Sequence, residues 1–140
     1  RGQRWTGGGT WAVQVLDSGR PERRVGYLAG DRGGRNVFTC TPEYVAMGPA
    51  RPTLGLAFNQ LLAEGAPPPQ RSRHRLPPWF SNLLPEGALR DLVASRLKIH
   101  SENEFPILAA LGADLPGAVS ATPLFSHEIP ETALQVFERE

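Results

Sequence analysis

Four side chains stand out as reactive or metal-binding in this 140-residue sequence: His74, His100, His127 and Cys40. A zinc site needs thiolate or imidazole ligands clustered at short spacing, and none of the four has such a neighbour. Cys40 would become a nucleophile only if His74 or His100 folded against it. Its place in the strand-like run 36–40 instead suggests an inert, buried thiol. The glycine runs at 7–9 and 33–34 invite a phosphate-loop reading, yet such a loop joins a strand to a helix and usually carries lysine. Here the runs lie in a tail and between strands, and Lys98 is the one lysine. Turn glycines are therefore expected. No nucleophile–base pair is recognisable, so the sequence implies no catalytic residue, no metal and no cofactor.

Two further groups suit binding better than catalysis. Arg71, Arg73, His74 and Arg75 form a basic cluster that could meet phosphates or an acidic partner. Just after it come Pro77 and Pro78, then Trp79 and Phe80, then Ser81. Two large aromatics between stiff prolines and a helix entrance are either a core anchor or a low-entropy interface anchor. Core packing is the expectation for Phe80; Trp79 is balanced between the two roles.

Composition narrows the class. Fifteen glycines and fourteen prolines make about a fifth of the chain, without a collagen-like period. Hydrophobic residues at 40% suffice for one modest core. No apolar run approaches the ~20 residues of a membrane span. The formal net charge of +1 argues against a general polyanion binder. The single cysteine fits a reducing, cytoplasmic compartment better than a secreted scaffold.

The elements that must hold these residues fall into two halves. Residues 1–10 read as a flexible lead-in. Strands are expected at 11–16, 24–28, 36–40 and 53–58, divided by turns at 17–19 and 31–35. Thr41, Pro42 and Gly48 suggest a short helix with a cap, a first-turn proline and a glycine stop. Residues 59–78, including the basic cluster, read as a long loop. A helix follows Pro85 and Glu86, with Leu89, Leu92, Val93 and Leu97 on its apolar face and Arg90, Asp91 and Arg96 pointing elsewhere. Ser101 and Glu104 match a capping box. Phe105, Leu108 and Leu111 form the stripe of a second helix, stopped by Gly112. A last strand at 118–121 and a terminal helix after Pro130, with Leu134 and Phe137 on one side, complete the pattern. The expected fold is α+β: a small curved antiparallel sheet or partly open barrel with two or three helices packed on it. The domain runs from 11 to 123, and 124–140 is a C-terminal extension, helical in part.

Several of these segments together resemble the N-terminal subdomain of HipA-type serine/threonine kinases, the toxins of bacterial toxin–antitoxin systems. Val25-Gly26-Tyr27-Leu28, Phe38 and Thr53-Leu54-Gly55-Leu56 match weaker family strands. Trp79-Phe80-Ser81-Asn82-Leu83-Leu84-Pro85-Glu86-Gly87 and Leu111-Gly112-Ala113-Asp114-Leu115-Pro116-Gly117-Ala118-Val119 match its two specific motifs. Leu115 stands where the family often has cysteine, and Gly55 where it usually has serine.

The resemblance implies that the ATP-binding loop and catalytic aspartate belong to a kinase core not contained in this sequence, so the chain itself is expected to be no enzyme. It also implies a partner. In three-gene relatives this subdomain is a separate HipS-like antitoxin that neutralises a HipT-like kinase; in others it is the front of a longer HipA-like kinase. The length favours the first. On this reading Trp79, Phe80, Ser81, Arg71, Arg73, His74 and Arg75 are the partner-binding candidates. Asn82, Leu83, Leu84, Pro85, Glu86, Gly87, Gly112, Asp114 and Gly117 are the structural motif residues, with Asn82 and Glu86 as helix caps. A different class remains open: an accessory module contacting operator DNA beside a HipB-like helix-turn-helix protein.

Overall fold

The computed structural model describes residues 11–17, 19–31, 33–47, 68–115, 119–124 and 128–138. Five strands, β1 (Trp11–Asp17), β2 (Arg20–Gly30), β3 (Arg35–Cys40), β4 (Gln70–Arg73) and β5 (Val119–Pro123), form one sheet in the order β4-β3-β2-β1-β5. Every neighbouring pair is antiparallel. The sheet is open, with β4 and β5 at its edges among the described residues. Among the described residues five α-helical segments accompany it: α1 (Pro42–Ala46), α2 (Pro78–Ser81), α3 (Gly87–Leu97), α4 (Glu104–Leu111) and α5 (Glu131–Glu138). This is the α+β architecture that the pattern of short strands implies, with the sheet open rather than closed.

Tight turns set the meander. The Gly19 amide donates to the Asp17 carboxylate at 2.9 Å, closing the first hairpin. The pairing of β1 with β2 shifts register around Leu16, a bulge that adds to the local twist. In the second turn Asp31 accepts from the Arg35 amide at 3.2 Å. Thr41 then caps α1: its hydroxyl oxygen accepts from the Tyr44 amide at 3.2 Å and its O–H donates to the Arg24 carbonyl at 2.7 Å. One side chain thus starts a helix and ties it back to β2. Met47 closes α1; Gly48 and the proposed strand at 53–58 lie outside the described residues.

Alternation along the strands gives the sheet two covered faces. On the first, Val13, Val15, Leu28, Phe38, Val119 and Ala121 meet Phe80, Leu84, Phe105, Ile107 and Leu108 from α2–α4 and their connections. Phe38 and Phe80 pack edge to face, their centroids 4.9 Å apart. On the second face, Ala12, Ala29, Val37 and Leu124 gather around Phe137 of α5. The C-terminal extension is therefore a layer of the fold: it covers the face that the other helices leave bare.

Three expectations change. The basic segment is not all loop: Gln70–Arg73 is the strand β4, paired with β3 from Phe38↔Gln70 to Arg35↔Arg73. Its alternating half-buried and exposed side chains let an edge strand resemble a loop. In α3, Leu89 and Leu92 are 55% and 49% exposed, whereas Ala94 is buried and Arg90 turns inward. Ser101 and Glu104 form no capping box, since the N-cap of α4 is Asn103 and the Glu104 carboxylate is used elsewhere. The expected stop at Gly112 holds, since α4 ends at Leu111 with Gly112 as its C-cap, though not in a left-handed conformation. The φ of Gly112 is −56° and the chain continues as a 3-10 turn over Gly112–Asp114. The glycine is required there because a Cβ would strike the Ala121 carbonyl of β5.

Candidate functional site

The segment 74–104 is organised around one buried carboxylate. Glu104 is 0% exposed. Its Oε1 accepts from the Leu76 amide at 2.8 Å, and its Oε2 accepts from the Ser81 hydroxyl at 3.0 Å and from Arg90 Nη2 at 2.9 Å. The Glu104 amide in turn donates to the His74 carbonyl at 2.9 Å. Arg90, with its side chain only 14% exposed, also donates to the carbonyls of Pro85 (3.0 Å) and Ser101 (3.3 Å). A charge removed from water must be paired and its lone pairs filled, and this network does both. It fastens the end of β4, the turn α2, the entry to α3 and the start of α4 to one point.

What this point holds in place is the aromatic turn. Pro78 opens α2, whose amides at Phe80 and Ser81 both donate to the Pro77 carbonyl at 2.9 Å. Phe80 goes into the core at 1% exposure, as expected, and Ser81 faces Glu104. Trp79 is half-buried, packed against the edge of the first core. Asn82 is the C-cap of α2, and Glu86 occupies the N-cap position of α3 without a side-chain capping bond. Leu84 is buried, Leu83 and Pro85 are half-buried, and Glu86 and Gly87 are exposed. Gly87 has φ +65°, a left-handed conformation that favours glycine at the helix entry. Of the second motif, Gly112 and the exposed Asp114 are described, and Gly117 lies outside the described residues.

The basic cluster does not stay together. In β4 the side chains of Arg71 and Arg73 share the second face of the sheet with Val37 and Arg35, their cross-strand partners. Trp79, Phe80 and Ser81 belong to the first face. Arg75, exposed, lies 3.9 Å from Glu104 on that same side. His74 sits between the two groups with φ 68°, its ring over Gly34. The candidate partner-binding residues thus divide into an aromatic site with Arg75 and a separate arginine group around β4. Cys40 is half-buried in β3. Among the described residues there is no group of three or more His, Cys, Asp and Glu placed to hold a metal, and no helix long and apolar enough to cross a membrane.

A sheet backed by this motif turn is the context in which sequence similarity becomes decisive. The family model of the HipA N-terminal domain matches residues 20–122. The chain belongs to that family. "Putative kinase Y4dM" of Sinorhizobium fredii is 37% identical over 122 residues, covering 84% of this chain and 29% of that protein. "Putative kinase Y4mE" of the same organism is 32% identical over 111 residues, covering 79% of this chain and 25% of its own length. The chain therefore spans less than a third of the curated relatives it matches. The HipA N-terminal domain match ends at 122, so α5 and the arginine–Phe137 contacts combine the family domain with a helix beyond it. Sequence reasoning missed the two residues that organise the site, Glu104 and Arg90. An acidic residue inside the otherwise apolar run 105–111 would have been a signal; at position 104, just before it, it looks like a cap.

Proposed function

We propose that this HipA N-terminal domain is a non-catalytic docking module that binds a HipA- or HipT-like serine/threonine kinase core and restrains it, as an antitoxin does. The observation that carries this reading is the half-buried Trp79, held on a short turn that is fixed by the core residue Phe80 and, through Leu76 and Ser81, by the buried Glu104. A tryptophan pre-set in this way loses little entropy on binding and suits an interface anchor. Arg75, exposed and 3.9 Å from Glu104, supplies a positive charge for an acidic rim. The exposed pair Leu89 and Leu92 on α3 offers apolar area in the same half of the chain. Docked against the ATP cleft, such a module would hinder the loop closure and phosphate positioning on which phosphoryl transfer depends. The names of the relatives, both called kinases, support the choice of partner.

The test is a titration of the purified chain against a HipA-type kinase core that lacks this domain, with kinase activity followed in parallel. The expected result is saturable binding, falling activity, and a loss of at least tenfold in affinity for Trp79→Ala in a variant that still unfolds cooperatively with the wild-type circular-dichroism spectrum. Equal binding by the variant would remove Trp79 from the interface; no binding of the wild-type chain would overturn the docking reading. The chain alone is expected to turn over no ATP.

A further inference from the structure

The second face of the sheet carries a cleft that the docking reading does not use. Arg35, Val37, Arg71, Arg73 and Phe137 line a space of about 220 Å³ between β3, β4 and α5. Arg35 and Arg73 are direct cross-strand partners, and Arg71, opposite Val37, is the next residue of β4 on the same side. Cross-strand Cβ atoms are roughly 5 Å apart and same-face neighbours along a strand about 7 Å. The three side chains therefore spring from a small triangle. Like charges placed directly opposite on neighbouring strands destabilise a sheet, so an arginine triangle has to be held together by its surroundings.

Those surroundings hold two of the three guanidinium groups, and Arg71 keeps donors over. Arg35 lies 4.4 Å above the Phe137 ring, and its Nε contacts Asp31 Oδ2 at 3.4 Å. Arg71 Nη2 donates to the Val136 carbonyl near the end of α5 at 2.8 Å. Each guanidinium has five N–H donors, so Arg71 retains most of its own. Arg73 is exposed beside them. Among the described residues the lining of the cleft holds these three arginines and no carboxylate; Asp31 meets it only through its ion pair with Arg35.

We infer that this cleft is a binding site for a phosphate monoester dianion. Three convergent guanidiniums match a group with three acceptor oxygens and a charge near −2 better than they match a carboxylate. An extended polyanion fits less well. The arginines face a pocket walled by Phe137 rather than a continuous basic track, and Glu131 and Glu138 stand exposed on the same helix. Two sources share this chemistry: free phosphate metabolites and a phosphorylated side chain of a protein. The site lies across the sheet from Trp79, so it does not depend on the docking reading.

The experiment titrates the purified chain with inorganic phosphate and with a phosphoserine peptide, at constant ionic strength balanced by chloride, following arginine Nε–Hε resonances and the unfolding midpoint. Saturable shifts of Arg35, Arg71 or Arg73, with a raised midpoint, are expected. Tighter binding of the peptide than of phosphate, with its unphosphorylated form inert, would identify a phosphorylated side chain as the source; equal binding would identify the free group. Arg73→Gln should weaken binding at least tenfold without lowering the ligand-free midpoint, since it removes a like charge opposite Arg35. Arg73→Lys, which keeps the charge and loses the fork, should recover only part of it. The proposal is overturned if neither probe gives saturable shifts beyond chloride, if Arg73→Gln binds equally, or if duplex DNA alone binds with a steep salt dependence.

Discussion

Glu104 shows how one residue can set the geometry of a surface it never reaches. Its two oxygens collect donors from Leu76, Ser81 and Arg90, and Arg90 carries the connection on to Pro85 and Ser101. Trp79 has two of these anchors flanking it, at positions 76 and 81, so its freedom is set by a residue more than twenty positions away. Truncating Arg90 to Met would leave a wholly buried carboxylate with two neutral donors and only the exposed Arg75, 3.9 Å away, as counter-charge. Removing one partner of such a pair typically costs about 3–5 kcal/mol, and urea denaturation of Arg90→Met should show a loss of that order. Glu104→Gln in the same background removes that poorly balanced charge but keeps an acceptor for the Leu76 amide. The double variant should be more stable than Arg90→Met alone. If it is not, the carboxylate's charge is not what Arg90 balances.

Elements differ in how plainly their residues announce them. The hairpins of β1–β3 and the Thr41 cap were legible because turn residues and alternation act locally, and local signals survive in a single sequence. The aromatic turn was legible as a motif, and Phe80 as core. Strand β4 was not, because an edge strand made of Gln70, Arg71, Ser72 and Arg73 buries too little to alternate in hydrophobicity; only pairing with β3 defines it. The face of α3 was misread for a related reason. Its apolar residues are spaced as if for burial, but the tertiary requirement at Glu104 turns Arg90 inward and leaves Leu89 and Leu92 outside. Substituting Leu89 and Leu92 by Ser should therefore change unfolding free energy by no more than ~0.5 kcal/mol each, as for other surface positions. Helix α5 behaves oppositely. Phe137 is 2% exposed and central to the second core, so Phe137→Ala should cost about 3–5 kcal/mol. It should also release α5 amides to hydrogen exchange ahead of β2 and β3, which a globally uniform loss of protection would contradict.

At the scale of the whole molecule, the sheet is a partition. Helices α2–α4 and the aromatic turn lie on one side, α5 and the arginine cleft on the other, and the two cores contain different residues of the same strands. A sheet with packed layers on both faces places groups on opposite sides farther apart than the ~10 Å spacing of a single layer. At such separations, without shared partners, substitution effects add to within about 0.5 kcal/mol. Trp79→Ala should therefore weaken kinase-core binding without changing phosphate affinity, and Arg73→Gln should do the reverse. The double variant should show the two single losses unchanged, each in its own titration. A cycle measured on all four proteins checks this directly. Coupling well above 0.5 kcal/mol would mean that the strand β4, which continues through His74 and Arg75 into the Glu104 network, transmits between the faces. The left-handed His74, whose carbonyl accepts from the Glu104 amide and whose amide donates to the Gly34 carbonyl at 2.6 Å, is then the residue through which that signal has to pass.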